Sequence, residues 1–141
     1  MTSKELDNLA EIGQLKREPP DQTQIDGLIG LAKQRLADLD AQGISQAGRF
    51  SAAYSAAHSL ALAALRLHGY RSDNRYLVFQ CLQHTLGLAG SQWRVLDTAH
   101  KLRNLLEYEG VGHVDERLLT EIIEIARLLL PEVEKLGHEN P

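Results

Sequence analysis

Apolar residues recur every three or four positions through most of the chain, which is the spacing of one face of an α-helix. The clearest of these stripes comprises Leu118, Ile122, Ile125, Leu129, Val133 and Leu136. No stretch of useful length alternates apolar and polar residues as a half-buried strand would. The pattern therefore predicts an all-α, up-and-down helical bundle of four to five main helices with an N-terminal helical extension.

Prolines, glycines and capping residues divide this pattern into elements. Thr2 and Glu5 have capping-box spacing at the start of a first helix, and Pro19 and Pro20 lie in a linker that cannot be helical. Pro131 is expected to kink or end the last helix. The predicted helices are 3–15, a second from its cap at Asp21 or Thr23 to Gly43, a third from Gln46 or Ser51 to Gly69, 72–86, 92–109 capped by Ser91, and a sixth that follows its cap Asp115. We treat 1–141 as one domain, with 1–20 as its N-terminal helix and linker.

Composition narrows the class of protein further. A single cysteine, Cys81, excludes an intramolecular disulfide framework and a zinc site built from cysteines. The longest apolar run, at 60–65, is too short to span a bilayer, and no secretory leader pattern is present, so we expect a cytoplasmic protein without a membrane partner.

Charge is unevenly distributed along the chain. The net charge is −4, yet residues 49–103 carry seven lysines and arginines against two carboxylates, while both flanking segments are acidic. A basic centre is typical of a local anion-binding surface, although packing between oppositely charged helices would give the same pattern.

The fifth predicted helix has an unusual polar face. At about 100° per residue, Asp97, His100, Asn104 and Tyr108 lie opposite the stripe of Val95, Ala99, Leu102 and Leu106. Arg103 lies on the flank of this polar face, and Lys101 lies beside it. Side chains of these types can donate, accept and stack, so we interpret the face as a candidate binding surface.

The same segment resembles a known family. Arg103-Asn104-Leu105-Leu106-Glu107-Tyr108 is similar to the signature of the HEPN family (higher eukaryotes and prokaryotes nucleotide-binding), in which an Arg is often followed by Asn and has a His five positions later. Residues 49–58, with their alanines and Tyr54, resemble the first bundle helix of such proteins. The likeness covers about 49–110.

The resemblance implies a small helical bundle that binds nucleotide or RNA, with relatives that are often dimeric ribonucleases of toxin–antitoxin systems. It places ligand contacts at Arg103, Asn104, Tyr108, His100 and Lys101, and catalytic candidates at Arg103, His100 and Tyr108. The chain departs from the signature because Tyr108 stands where the His is expected. Tyr titrates near ~10 and is a poor general base at neutral pH, so ribonuclease activity is expected to be weakened or lost.

Trp93 and Leu96 lie beside the polar stripe and are predicted to form a homodimer interface. Two alternatives to nucleotide binding stay open. The chain could be a non-enzymatic dimeric interaction module with a protein partner, as an antitoxin is. His58, His84 and His100 could instead converge from three helices to bind a metal. No phosphate-binding glycine loop or nucleophile motif is present, so the main hypothesis requires neither cofactor nor metal.

Overall fold

The computed structural model describes residues 3–139, which form an all-α helical bundle as predicted. The ends of the predicted domain, with Thr2 of the expected capping box, lie outside the described residues. The helices are α1 Lys4–Glu11, α2 Gln22–Asp38, α3 Gln46–Leu67, α4 Arg75–Gln80, α5 Leu82–Thr85, α6 Gly90–Asn104 and α7 Glu116–Glu139. A π-helical turn, Leu105–Glu109, continues α6. Within 3–139 no helix combines the length and apolarity needed to cross a membrane.

Helix α3 is the central element of the bundle. It packs along α2 and α7, and it also contacts α4, α5 and α6. Its neighbours can approach closely because many of its core residues are alanines, which present almost no bulk beyond the backbone. The fully buried alanines of α3 are Ala53, Ala56, Ala57, Ala63 and Ala64.

Polar caps set most helix starts. The side chains of Ser3, Asp21 and Asn74 accept hydrogen bonds from the backbone N–H three residues further on, at the starts of α1, α2 and α4. The Asp115 carboxylate likewise accepts from the backbone N–H of Leu118. The cap predicted at Ser91 is wrong, because α6 begins at Gly90 and the Gln92 side chain accepts from the backbone N–H of Ala89.

Several predicted boundaries are also wrong. The first helix ends at Glu11, and the predicted helix 72–86 is divided into α4 and α5. Pro131 does not end the last helix, which continues to Glu139 and so includes the predicted stripe through Leu136. The predicted linker contains β1, Lys16–Arg17, which pairs antiparallel with β2, Tyr70–Arg71. A ladder of two residues per strand is too short to produce a visible alternation in the sequence.

Arg66 of α3 binds the segment 18–24, which leads into α2, through hydrogen bonds and an ion pair. Its side chain is 4 % exposed and donates to the backbone carbonyls of Glu18 and Pro19 and to Oε1 of Gln24, each at 3.2 Å. It also forms an ion pair of 3.1 Å with the Glu18 carboxylate. A buried charge is tolerated when its donors are satisfied in this way, so Arg66 holds the segment before α2 against the bundle.

We expect Arg66→Ala to lower the free energy of unfolding by about 2–4 kcal/mol, because it leaves several polar partners of a buried side chain without a donor. Urea denaturation of the variant and the wild type measures the difference. Arg71→Ala is the matched control: Arg71 contacts the same Glu18 carboxylate at 3.5 Å but is 49 % exposed, so its removal should cost about 0–1 kcal/mol. Equal losses from the two variants would contradict the structural role of Arg66.

Candidate functional site

A hydrogen-bonded chain joins α3 to α6. The hydroxyl of Tyr54 lies 3.1 Å from Nδ1 of His100, and Nδ2 of Asn104 lies 3.3 Å from Nε2 of the same ring. His100 and Asn104 are four residues apart and therefore share one face of α6. Tyr54 reaches them because α3 and α6 are in contact.

This chain fixes the protonation pattern of a neutral His100. The amide Nδ2 can only donate, so Nε2 of His100 must accept. Nδ1 then carries the proton and donates to the Tyr54 oxygen. The orientation of the amide agrees with its other contact, since Nη1 of Arg103 donates to Oδ1 of Asn104 at 3.5 Å. The Tyr54 oxygen therefore acts as an acceptor in this chain, and Tyr54 itself is buried, with 2 % of its surface exposed.

Two guanidinium groups from different helices lie near the Tyr54 ring. Arg75 of α4 lies 5.8 Å from its centroid and Arg103 of α6 lies 5.7 Å from it. Both distances are in the range of a cation–π contact. Arg103 also pairs with the Glu107 carboxylate at 2.9 Å, whereas Arg75 forms no ion pair within residues 3–139.

Aromatic rings surround these polar groups. Phe79 makes edge contacts with Tyr54 and His58, at centroid distances of 5.4 Å and 5.7 Å. Tyr76 packs edge-on against Trp93 and lies 6.1 Å from the His100 ring, yet 42 % of it remains exposed. We call Tyr54, His58, Arg75, Tyr76, His100, Arg103, Asn104 and Tyr108 the arginine–tyrosine cluster.

Burial and positive charge together keep the cluster's histidines neutral. Burial lowers the pKa of His58 from 6.5 to about 4, and the charges of Arg75 and Arg103 act in the same direction. The pKa of His100 is also lowered, first by burial and then by Arg103. Burial raises the pKa of Tyr54, so its hydroxyl stays protonated. The arginines therefore supply the cations of the cluster at neutral pH.

The structure brings together four of the five ligand residues predicted on α6. His100, Asn104 and Arg103 are in contact, and the ring of Tyr108 lies 5.6 Å from the Arg103 guanidinium. Lys101 stays outside the cluster, because it forms an ion pair of 3.1 Å with Asp97 and its side chain is 72 % exposed.

The structure bears differently on the two residues predicted to form a homodimer interface. Leu96 is fully buried in the core of a single chain, so its prediction as a dimer-interface residue is wrong. The error comes from treating α6 as packed on one side, although it contacts both α4 and α7. Trp93 is half-buried against Tyr76 and keeps some accessible surface.

Sequence reasoning did not assign Tyr54, Arg75 or Tyr76 to the site. Arg75 belongs to the basic central segment, which is the one signal that could have drawn attention to it. Tyr54 lies in the segment 49–58, whose resemblance to the first helix of HEPN proteins assigns it no contact with a ligand. The distance in sequence between Tyr54 and His100 explains why their hydrogen bond could not be predicted from spacing.

The metal hypothesis is wrong for the described part of the chain. Within 3–139 no three His, Cys, Asp or Glu side chains lie close enough to hold a metal ion. His58 and His100 both contact Phe79. His84, a residue of α5, instead lines a groove with Glu5 of α1 and with Ile12, which follows that helix.

The sequence was compared with protein-family models and with curated proteins. No protein-family model matches the sequence, and no curated protein matches it significantly.

The depressed pKa of His58 predicts a pH dependence of folding. The unfolded chain binds a proton at His58 near pH 6.5, while the folded protein does so only near pH 4. The stability that the neutral ring contributes is thus present above pH 6.5 and is lost as the pH falls towards 4. We expect His58→Gln to flatten this part of the stability profile, measured by urea denaturation across that pH range. His113→Gln, which alters an exposed histidine outside the cluster, is the control. An unchanged slope in His58→Gln would contradict the burial argument.

Proposed function

We propose that the arginine–tyrosine cluster binds the phosphate of a nucleotide or of single-stranded RNA in the cytoplasm, as the HEPN resemblance implies. The observation that carries this proposal is the pair of guanidinium groups, Arg75 and Arg103, converging on Tyr54 from two helices. Like charges are brought together in a folded protein only at a cost, and an anion placed between them would offset it.

The chemistry of the cluster fits a phosphate. Guanidinium groups hold phosphate oxygens through planar, paired donors. Tyr76 and Tyr108 are 42 % and 74 % exposed, so each offers a ring on which an unpaired base can stack. Bases are accessible in this way in single strands and not inside a duplex.

The arrangement argues for binding with weak or absent RNA cleavage. Both ring nitrogens of His100 already have protein partners, Tyr54 and Asn104. Burial keeps the pKa of Tyr54 above its usual value, so its hydroxyl is a poor general base at neutral pH. General acid–base catalysis would thus require His100 to exchange one of its partners for the substrate.

We expect Arg75→Ala and Arg103→Ala each to weaken binding of a fluorescein-labelled single-stranded oligouridylate about tenfold at low salt, because each removes one charged phosphate contact. Fluorescence anisotropy measures the affinity, and a gel of the recovered RNA shows whether it was cut. Each variant should also reduce the salt dependence of binding.

Arg94→Ala is the matched control, since Arg94 is an exposed arginine of the same helix α6 outside the cluster. It should change affinity less than either cluster variant. An equal loss in Arg94→Ala would overturn the proposed site. So would the absence of binding at low salt both by the wild type and by a variant without the Glu107 carboxylate, which pairs with Arg103.

The second candidate function is the dimeric interaction module, which a different observation favours. Around the π turn, Leu105, Tyr108 and Val111 are 40 %, 74 % and 57 % exposed. Apolar side chains exposed side by side are typical of a surface that another chain covers. We propose that a second copy of the chain covers this patch in a homodimer, either with or without RNA.

We expect Val111→Ser to raise the dimer dissociation constant by about tenfold, because the variant removes apolar area at the centre of that patch. Sedimentation equilibrium measures the constant. Ile12→Ser provides the control, because Ile12 is 71 % exposed but lies at the C-terminal end of α1, outside the patch. A wild-type monomer at every concentration would contradict the homodimer.

A further inference from the structure

Two side chains of the π turn that follows α6 contact Arg103, the arginine to which the proposed function assigns a phosphate. Oε2 of Glu107 lies 2.9 Å from Nη2 of Arg103, and the ring of Tyr108 lies 5.6 Å from the same guanidinium. With the Tyr54 ring at 5.7 Å and Oδ1 of Asn104 at 3.5 Å, the Arg103 side chain is only 17 % exposed. A ligand phosphate can pair with Arg103 only if one of these groups gives way.

We propose that Glu107 is a latch, an internal anion that a ligand phosphate must displace from Arg103. This inference rests on the proposed function, because it concerns access to the same site. Glu107 is the group to exchange because its carboxylate is 49 % exposed and carries the same sign of charge as a phosphate. The phosphate and the carboxylate thus compete for one guanidinium.

The turn that carries Glu107 is suited to move. None of the residues of the π turn is fully buried, whereas Leu96 and Ala99 of the preceding α6 are. The turn ends at Gly110 in the left-handed conformation, with a φ of 68°. Leu106 is the residue of the turn that packs against the core, and the other four are exposed, so few buried contacts oppose a local opening. Single π turns inside helices are often found at functional sites.

Arg75 makes the exchange favourable for a phosphate. It forms no ion pair within the described residues and lies on the same ring, Tyr54, as Arg103. Glu107 pairs with Arg103 alone, whereas a phosphate that reaches both guanidiniums would be held by two positive charges. Arg75 therefore provides the first contact, and displacement of Glu107 provides the second.

Glu107→Gln tests the latch with the same labelled oligouridylate. The amide keeps the size of the side chain and removes the competing charge. We expect the variant to bind about two- to fivefold more tightly than the wild type, which is the effect of losing one partly exposed ion pair. Glu109→Gln is the matched control, because it removes the same charge from the same turn at an exposed residue that does not contact Arg103. It measures the general effect of a more positive surface.

Each outcome decides between the proposals. A larger gain in Glu107→Gln than in Glu109→Gln supports the latch. Equal gains, or none, with a wild type that binds RNA would overturn the latch and leave the proposed function intact. Binding that appears only in Glu107→Gln would also support the latch, as a turn that is closed in the wild type. No binding by any of the three proteins would overturn both proposals.

Amide hydrogen exchange gives a measurement that does not depend on RNA. If Glu107 holds the turn on Arg103, the amides of Leu105–Glu109 should exchange faster in Glu107→Gln than in Glu109→Gln, while those of α3 stay protected. Unchanged exchange in the turn would overturn the latch even if the RNA affinity rose.

Discussion

The close packing of helices on the alanine surface of α3 is the constraint on which the rest of the structure depends. Alanines such as Ala53, Ala57 and Ala64 have no exposed surface. Their small side chains let α2, α7 and the shorter helices pack closely against the same central helix. A larger side chain at these positions would separate a neighbour from the core and cost packing on both sides. The bundle is therefore organised by one helix that touches nearly every other one.

The candidate site lies where this alanine surface is interrupted. Tyr54 and His58 are four residues apart on α3, so they present one face to Phe79 and to the polar residues of α6. Arg75 and Arg103 lie beside the Tyr54 ring and are partly buried, which strengthens the electrostatic interactions of the two guanidiniums. His58 and His100 are neutral first because burial disfavours their charged forms, and second because a further positive charge beside the arginines would be unfavourable.

Periodicity and capping were sufficient to predict the all-α bundle, and the polar face of α6 indicated His100, Arg103 and Asn104. The prediction failed where one helix has two packing partners. Val95 faces Ile125 and Leu128 of α7, while Leu96 is buried, so a single apolar stripe could not describe both sides of α6. Contacts between residues far apart in sequence were equally beyond reach, because spacing along a chain carries no information on them.

The arginines of the structure show how a structural cation can be distinguished from one available to a ligand. Arg66 is buried and contacts a carboxylate, two backbone carbonyls and an amide oxygen. Its charge is therefore balanced by partners within the fold. Arg75 is half-buried and has an aromatic face for a neighbour but no ion pair among residues 3–139. Arg103 is intermediate, because its one carboxylate partner lies on a turn with no fully buried residue. A partly desolvated guanidinium without a carboxylate partner gains most from an added anion. The contrast between Arg66 and Arg75 is therefore the physical reason for proposing the arginine–tyrosine cluster, and not Arg66, as the anion site.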